Sequence, residues 1–348
     1  KDALRLMQFS SVNFIYADKA DNLYYLHNAR YPRRDDKHDW ITVLPGDTSA
    51  VKWKDYITFD EMIQYENPGC GYLVNFNHSP FLATCPEDNH RPDEYPQWYG
   101  AQELPNNRSL RFNELIEPLE TVSWEDFVRI KYDDQYPQEG AFIDSIRALI
   151  NRPVELLPKK LRPLVNHMRD HFDLKADTNN RVFAAVNLTL KYIFKKNGAG
   201  SRDFEEGFHV KQADWEESLE FANRFLKRHF GTFDVPYGDF QRHTRGDISL
   251  PVNGAPDVIA ATYGNIKQER GIKRVNAGES YIMLARWKNG RLDYLGTVNA
   301  YGSSNRPDSP HYTDQMKLYQ KQQLKRMTFD KQEILENAER IYNPGRTD

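Results

Sequence analysis

No apolar run in the 348 residues approaches the ~18 needed to cross a bilayer as a helix, so a transmembrane helix is excluded. No basic block stands out either. Net charge is −3 with 28% charged residues, so neither nucleic acid nor an anionic membrane is the expected partner. The chain lacks G-x-S-x-G, a P-loop and a phosphate-cradling G-x-G-x-x-G. His167 and His171 have the spacing of a helical metal pair but lack the glutamate of a zincin motif, and read as a polar helix face. No signal peptide, internal repeat or low-complexity tract is visible. Cysteine is scarce. Cys70 and Cys85 can staple a loop in an oxidising compartment or stand as two free thiols, and their spacing does not decide between these.

What is present suits a large core. Aromatic residues make up 13% of the chain, and the length fits about two domains or one large sheet fold. The first hundred residues read as strands and loops. Residues 12–17 and 23–28, joined by a polar turn, predict a hairpin. Residues 88–102 form a polar, aromatic-studded loop, either a pocket rim or plain surface. The middle is helical. Ser123-Trp-Glu-Asp126 has the form of a capping box. Val182, Ala185, Val186, Leu190 and Ile193 make one apolar stripe, stopping near Gly198. A helix starting around Asp214 carries Trp215, Leu219, Ala222, Phe225 and Leu226 and stops at Gly231. These stripes read as core rather than cofactor contacts. Asn289-Gly290 between residues 280–287 and 292–300 predicts a hairpin with a type I′ turn. Asp330-Lys-Gln-Glu333 starts a closing helix. The fold class is α+β, with strands and loops over 1–110, a mainly helical 111–235, and strands with terminal helices over 236–348.

The segment 71–80, GYLVNFNHSP, reads as a short strand that breaks its own propensity with two asparagines, the pattern of a functional or strained site. Asn67-Pro68-x-x-Gly71-Tyr72 followed by Asn75-Phe76-Asn77-His78-Ser79-Pro80 resembles the penicillin acylase and acyl-homoserine lactone acylase family of N-terminal nucleophile hydrolases. Further blocks in family order extend the resemblance over most of the chain: Tyr31-Pro32-Arg33-Arg34, Leu44-Pro45-Gly46, Gly238-Asp239-Phe240-Gln241-Arg242, Arg245-Gly246-Asp247, Gly278-Glu279-Ser280-Tyr281, and Ser309-Pro310-His311-Tyr312-Thr313-Asp314-Gln315. The resemblance implies a share of an αββα sandwich and cleavage of a linear amide, in a periplasmic or secreted bacterial protein.

In that family the nucleophile is the Ser, Thr or Cys that opens the β chain, with its own α-amine as base. This chain begins Lys1-Asp2-Ala3, so the resemblance places 1–348 as the C-terminal portion of a β subunit. The expectation is that it is inactive alone and completed by the remaining α and β acylase segments, which carry the nucleophile. A small acyl amide is the expected substrate. No cofactor is required. The family admits a structural Ca²⁺, to which Asp88 and Asp93 are the candidate contributors.

Asn77 is the leading catalytic candidate, because the resemblance puts the oxyanion asparagine at the second Asn of Asn-x-Asn. Its side-chain NH₂ would stabilise a tetrahedral oxyanion by ~3–4 kcal/mol. The plainer reading is a turn Asn bonded to its own backbone. Arg111 is second, in Arg111-x-x-Glu114-Leu115, where a guanidinium can orient the nucleophile's amine or the substrate carbonyl. The plainer reading there is an ion pair with Glu114. Asn75 and His311 read as structural. The sequons at Asn107 and Asn187 read as chance matches. Arg245-Gly-Asp and the 309–315 block tilt the substrate toward acyl-homoserine lactones or lipopeptides over penicillins. The competing class is a non-catalytic scaffold or subunit that keeps the acylase sheet without activity. An independent hydrolase using its own His or Ser residues has no supporting spacing.

Overall fold

The 12–28 hairpin forms as its alternation and polar turn require, with β1 (Val12–Ala17) antiparallel to β2 (Leu23–Asn28) and β3 (Gln64–Glu66) on the far side of β2. A computed structural model describes residues 1–198, 202–343 and 345. A short helix, α1 (Asp2–Arg5), precedes β1. The inward face of this sheet buries Tyr25, Leu26, Ile63 and Tyr65, to which Phe81 and Tyr99 add from the following loops.

Helices follow, namely α2 (Asn107–Ile116), α3 (Trp124–Lys131), α4 (Ala141–Ile150), α5 (Arg162–His171), α6 (Phe183–Asn197), α7 (Arg202–Glu205), α8 (Gln212–Phe230) and α9 (Tyr237–Phe240). Their ends obey local chemistry. Ser123 caps α3 in a reciprocal box with Asp126. Gly198 and Gly231 close α6 and α8 in the left-handed conformation. Helix α8 starts at Gln212, two residues before the acidic run that suggested a start at Asp214, with Lys211 as N-cap. All five stripe residues of α8 are buried against α6. Trp215, Phe142, Phe183 and Tyr237 are the largest side chains of this main core, each worth roughly 2–3 kcal/mol in burial.

A four-stranded sheet in the order β5-β4-β7-β6 lies beyond the helices: β4 (Gln241–Arg245), β5 (Ile248–Pro251), β6 (Thr262–Lys267) and β7 (Ile272–Gly278). The β4 and β7 strands pair in parallel, Gln241 opposite Lys273. The β6–β7 register shifts at Tyr263/Gly264, and a Cβ on Gly264 would stand 2.4 Å from the Arg274 carbonyl oxygen, so only glycine fits the bulge. Then comes the hairpin of β8 (Tyr281–Lys288) and β9 (Arg291–Asn299), turned at Asn289 (φ 52°) and Gly290 (φ 70°) as the Asn-Gly signal predicts. Helix α10 (Met316–Gln320), the edge strand β10 (Lys325–Arg326) on β9, and α11 (Lys331–Glu336), capped by Asp330, end the chain. The architecture is α+β with a helical middle. No helix among the described residues is long and apolar enough to cross a membrane.

The segment 71–80 is not a ladder strand. It is an extended loop held largely by side chains, with one cross-loop backbone bond, Val74 N–H to the Ala83 carbonyl at 2.8 Å, and local turn bonds at its two ends, Gly71 N–H to the Pro68 carbonyl and Leu82 N–H to the Ser79 carbonyl. The side chains of Thr84, Asn75, His78, Asn106 and Tyr65 take several other backbone groups. Cys70 and Cys85 are joined in a disulfide that brackets the loop.

Candidate active site

Two asparagines shape the 71–80 loop. The Asn75 Oδ1 accepts the Asn77 backbone N–H at 3.0 Å and the Asn13 Nδ2 of β1 at 3.1 Å, which turns the chain and ties it to the first sheet. That turn holds Asn77 at φ 54°, a left-handed conformation that asparagine tolerates better than most residues. His78 is buried and neutral. Its Nδ1 accepts the Phe76 N–H at 3.0 Å, which leaves Nε2 as the donor to the Leu82 carbonyl at 2.8 Å. Burial lowers its pKa from the ordinary histidine value. Both ring nitrogens are committed to backbone, so His78 serves the loop rather than proton transfer.

The loop docks on the N-terminus of α2. Asn106, the N-cap, accepts the Ser109 N–H through Oδ1 and donates Nδ2 to the Phe76 carbonyl at 3.0 Å. One residue on, Asn107 gives its backbone N–H and its Nδ2 to Asp257 Oδ2, at 3.0 and 2.8 Å. Arg108 joins the two halves. Its Nε donates to Asp257 Oδ1 at 2.9 Å and its Nη1 donates to Asn77 Oδ1 at 3.2 Å. The Asp257 side chain is 7% exposed, and burial raises its pKa against the opposing pull of Arg108 and Asn107.

This polarity bears on chemistry. With Asn77 Oδ1 accepting from a guanidinium, the amide orientation is fixed and Nδ2 becomes the outward donor. Asn77 is exposed, and no hydrogen bond engages its Nδ2 among the described residues. The arrangement offers a neutral, aimed N–H group to an incoming oxygen, which is what an oxyanion requires.

Arg111, the residue singled out by the Arg-x-x-Glu spacing, is placed elsewhere. Its Nε and Nη2 grip both oxygens of Asp133, at 3.0 and 2.9 Å, and its Nη1 donates to Glu114 at 2.9 Å. The fork is fully used in a fold contact between α2 and the end of α3. The structure therefore brings Asn77 together with Arg108 and Asp257, not with Arg111. Asn107 is 1% exposed and Asn187 8% exposed, so both sequons lie inside the fold.

Asp88 accepts the Cys70 N–H on Oδ2 at 3.1 Å, and Asp93 is clamped by its neighbour Arg91. The only group of three or more His, Cys, Asp or Glu side chains within shared reach of an ion among the described residues is Cys70, Cys85 and Asp88. Two of those are the disulfide sulfurs, and a hard cation wants oxygen, so this set does not fit Ca²⁺. The later blocks pack the end of the β8–β9 hairpin. The Arg245 guanidinium lies over the rings of Tyr301 and Tyr312, His311 Nδ1 pairs with Asp314 at 2.8 Å, and Gln315 Oε1 accepts the Asn299 N–H at 2.8 Å.

The family model for penicillin amidase matches residues 1–336. Penicillin G acylase of Escherichia coli is 37% identical over 73 residues, which are 21% of this chain and 8% of that protein's length. A thermostable penicillin G acylase from Alcaligenes faecalis shares the fold at a TM-score of 0.54 and 16% identity, over 97% of this chain and 68% of that one.

Proposed function

The chain belongs to the penicillin amidase family, a family of amide hydrolases with the N-terminal nucleophile fold, and we propose that residues 1–348 are the C-terminal portion of an acylase β subunit. The complete enzyme cleaves a linear acyl amide. A nucleophile carried on a further segment attacks the carbonyl, and the tetrahedral oxyanion takes a hydrogen bond from Asn77 Nδ2. The amine leaves, and water releases the acyl group. Arg108 and Asp257 hold the amide of Asn77 in the donating orientation without touching the substrate. The observation that carries this reading is the Arg108 to Asn77 Oδ1 hydrogen bond, which orients the side chain as an oxyanion donor requires.

The chain is not expected to hydrolyse amides by itself, since neither Asn77 nor Arg108 is a nucleophile. Its natural partners are the remaining acylase segments. The exposed apolar residues Val12, Ile15 and Tyr16 on the edge strand β1 offer a surface for them. A disulfide beside the site suits a periplasmic or secreted setting. Acyl-homoserine lactones and lipopeptides are the favoured substrates on sequence grounds, which would make the enzyme a quorum quencher rather than one that acts on an antibiotic of the penicillin type.

The test is intact mass and N-terminal sequencing of the native material, followed by a panel of N-acyl-homoserine lactones, a lipopeptide and a penicillin. A co-purifying segment beginning with Ser, Thr or Cys, with hydrolysis of at least one amide, supports the proposal. A lone folded chain with no amidase activity in the native material leaves the scaffold reading in its place.

A further inference from the structure

Residues of α4, α6, α7, β6 and β7, with Pro256 beside Asp257, line a half-open cavity of about 350 Å³, within the size range of small-molecule sites. Its body is apolar and aromatic, with Phe142, Phe183, Phe194 and Phe204 among the walls. Among the described residues, the charged ones lining it are three lysines, Lys191, Lys195 and Lys273, with no carboxylate.

Lys273 is the unusual member. It is 1% exposed, on a strand paired on both sides, and among the described residues its Nζ has one hydrogen-bond partner, the Tyr237 hydroxyl at 3.3 Å. That hydroxyl spends its own proton on Gln241 Oε1 at 2.7 Å. No ion pair reaches Lys273 among the described residues. Lys191, half-buried in the lining, gives its Nζ to the Gly264 carbonyl and adds charge of the same sign. A buried ammonium costs several kcal/mol unless an anion faces it. Burial, with Lys191 adding to it, lowers the Lys273 pKa to about 7. A second polar group is also unsatisfied, since Asn187 Oδ1 is buried in the wall with no partner among the described residues.

We propose that this cavity is a binding site for an apolar monocarboxylate, an alkyl or aryl carboxylic acid, whose carboxylate pairs with Lys273 and whose body lies among the phenylalanines. The Asn187 amide, turned so that Nδ2 rather than Oδ1 faces the ligand, donates to the second carboxylate oxygen. Lys191 and Lys195 add positive charge to the lining, which favours an anionic ligand. The site is distinct from Asn77 and does not depend on the acylase reading.

The experiment is calorimetric titration of the complete protein with octanoate, octan-1-ol and octylamine, three probes with one tail and different heads. Octanoate is expected to bind more tightly than octanol by about tenfold or more, the worth of a charge-assisted contact, and octylamine not at all. Lys273→Met removes that preference, and Leu190→Trp, which fills the cavity from a half-buried position, removes binding of all three. Asn77→Gly leaves octanoate binding intact, which separates this cavity from the acylase site. Equal binding of octanoate and octanol, no binding of octanoate, or a preference that survives Lys273→Met overturns the proposal. So does loss of octanoate binding in Asn77→Gly with Lys273→Met unaffected.

Discussion

Arg108 holds Asn77 by its side-chain oxygen, Nη1 to Oδ1 at 3.2 Å, while the same guanidinium holds Asp257 through Nε at 2.9 Å. The relationship couples a loop asparagine to a carboxylate 180 positions later through one rigid fork. Arg108→Ala frees the Asn77 amide to rotate and leaves a buried carboxylate short of its cation. In the complete enzyme kcat is expected to fall by about tenfold. Stability is expected to fall by ~2–3 kcal/mol, less than for a bare buried charge because Asn107 still donates twice to Asp257. Arg108→Lys restores most of the melting temperature but not kcat, since an ammonium cannot reach in two directions. Steady-state kinetics and thermal melts on both variants check this.

Arg111 separates fold from function. Its pairing with Asp133 and Glu114 makes Arg111→Ala a stability change, by ~2–4 kcal/mol, since the side chains of Arg111 and Asp133 are each 13% exposed. The kcat per folded molecule stays within about threefold of the parent. A denaturant melt beside an active-site titration distinguishes this from a catalytic role.

Asp134 gives the chain a pH signature. Burial, helped by the nearby charges of Asp177 and Asp133, raises its pKa to about 6. A folded-state value above the unfolded one means the folded chain binds the extra proton. Stability therefore declines as pH rises from 3.8 through about 6, and the cost persists above that. Asp134→Asn keeps an oxygen for the Asn253 Nδ2, now at 2.8 Å, and removes the charge. It is expected to raise stability at pH 7 by ~1–3 kcal/mol and to flatten this part of the pH profile, read by urea melts at pH 4, 6 and 8.

The Cys70–Cys85 disulfide closes a loop with a sequence separation of 15 around Asn77. Replacing both cysteines by serine is expected to cost ~3 kcal/mol by chain entropy. The loop also loses one of its restraints, so kcat falls more than the melting temperature alone explains. Activity measured well below the melting temperature, with and without reductant, tests the second half of this expectation.

Much of the fold was legible because local chemistry decided it. Asn289-Gly290 can turn a hairpin only one way, Ser123 and Asp126 cap each other, and Gly231 ends α8. The parallel β4–β7 pairing was not legible, because it joins strands about 30 residues apart, and the neighbouring β6–β7 pairing carries a bulge at Gly264 that no short pattern announces. The 71–80 loop looked like a strand because Tyr72-Leu73-Val74 is a short apolar run ahead of its two asparagines. Asn75 and His78 drew the backbone bonds to themselves instead. At the site, Asn77 stood out by breaking strand propensity. Arg108 did not, because the Arg-x-x-Glu spacing drew attention to Arg111. What selects Arg108 is the N-cap at Asn106, which sets the helix phase against the loop, and Asn106-Asn107-Arg108-Ser109 was the readable signal. Asp257 lies 149 positions from Arg108, and no local pattern marks it.

The central claim is that Asn77 supplies an oxyanion donor. Because Asn77 sits at φ 54°, Asn77→Ala adds backbone strain, whereas Asn77→Gly removes the amide and keeps the conformation. Single-turnover and steady-state kinetics of Asn77→Gly in the complete enzyme, on whichever amide the parent hydrolyses, test it most directly. The expected result is a kcat lower by about 10²–10³ with KM and melting temperature nearly unchanged. A kcat equal to the parent's in a folded Asn77→Gly enzyme would contradict the account.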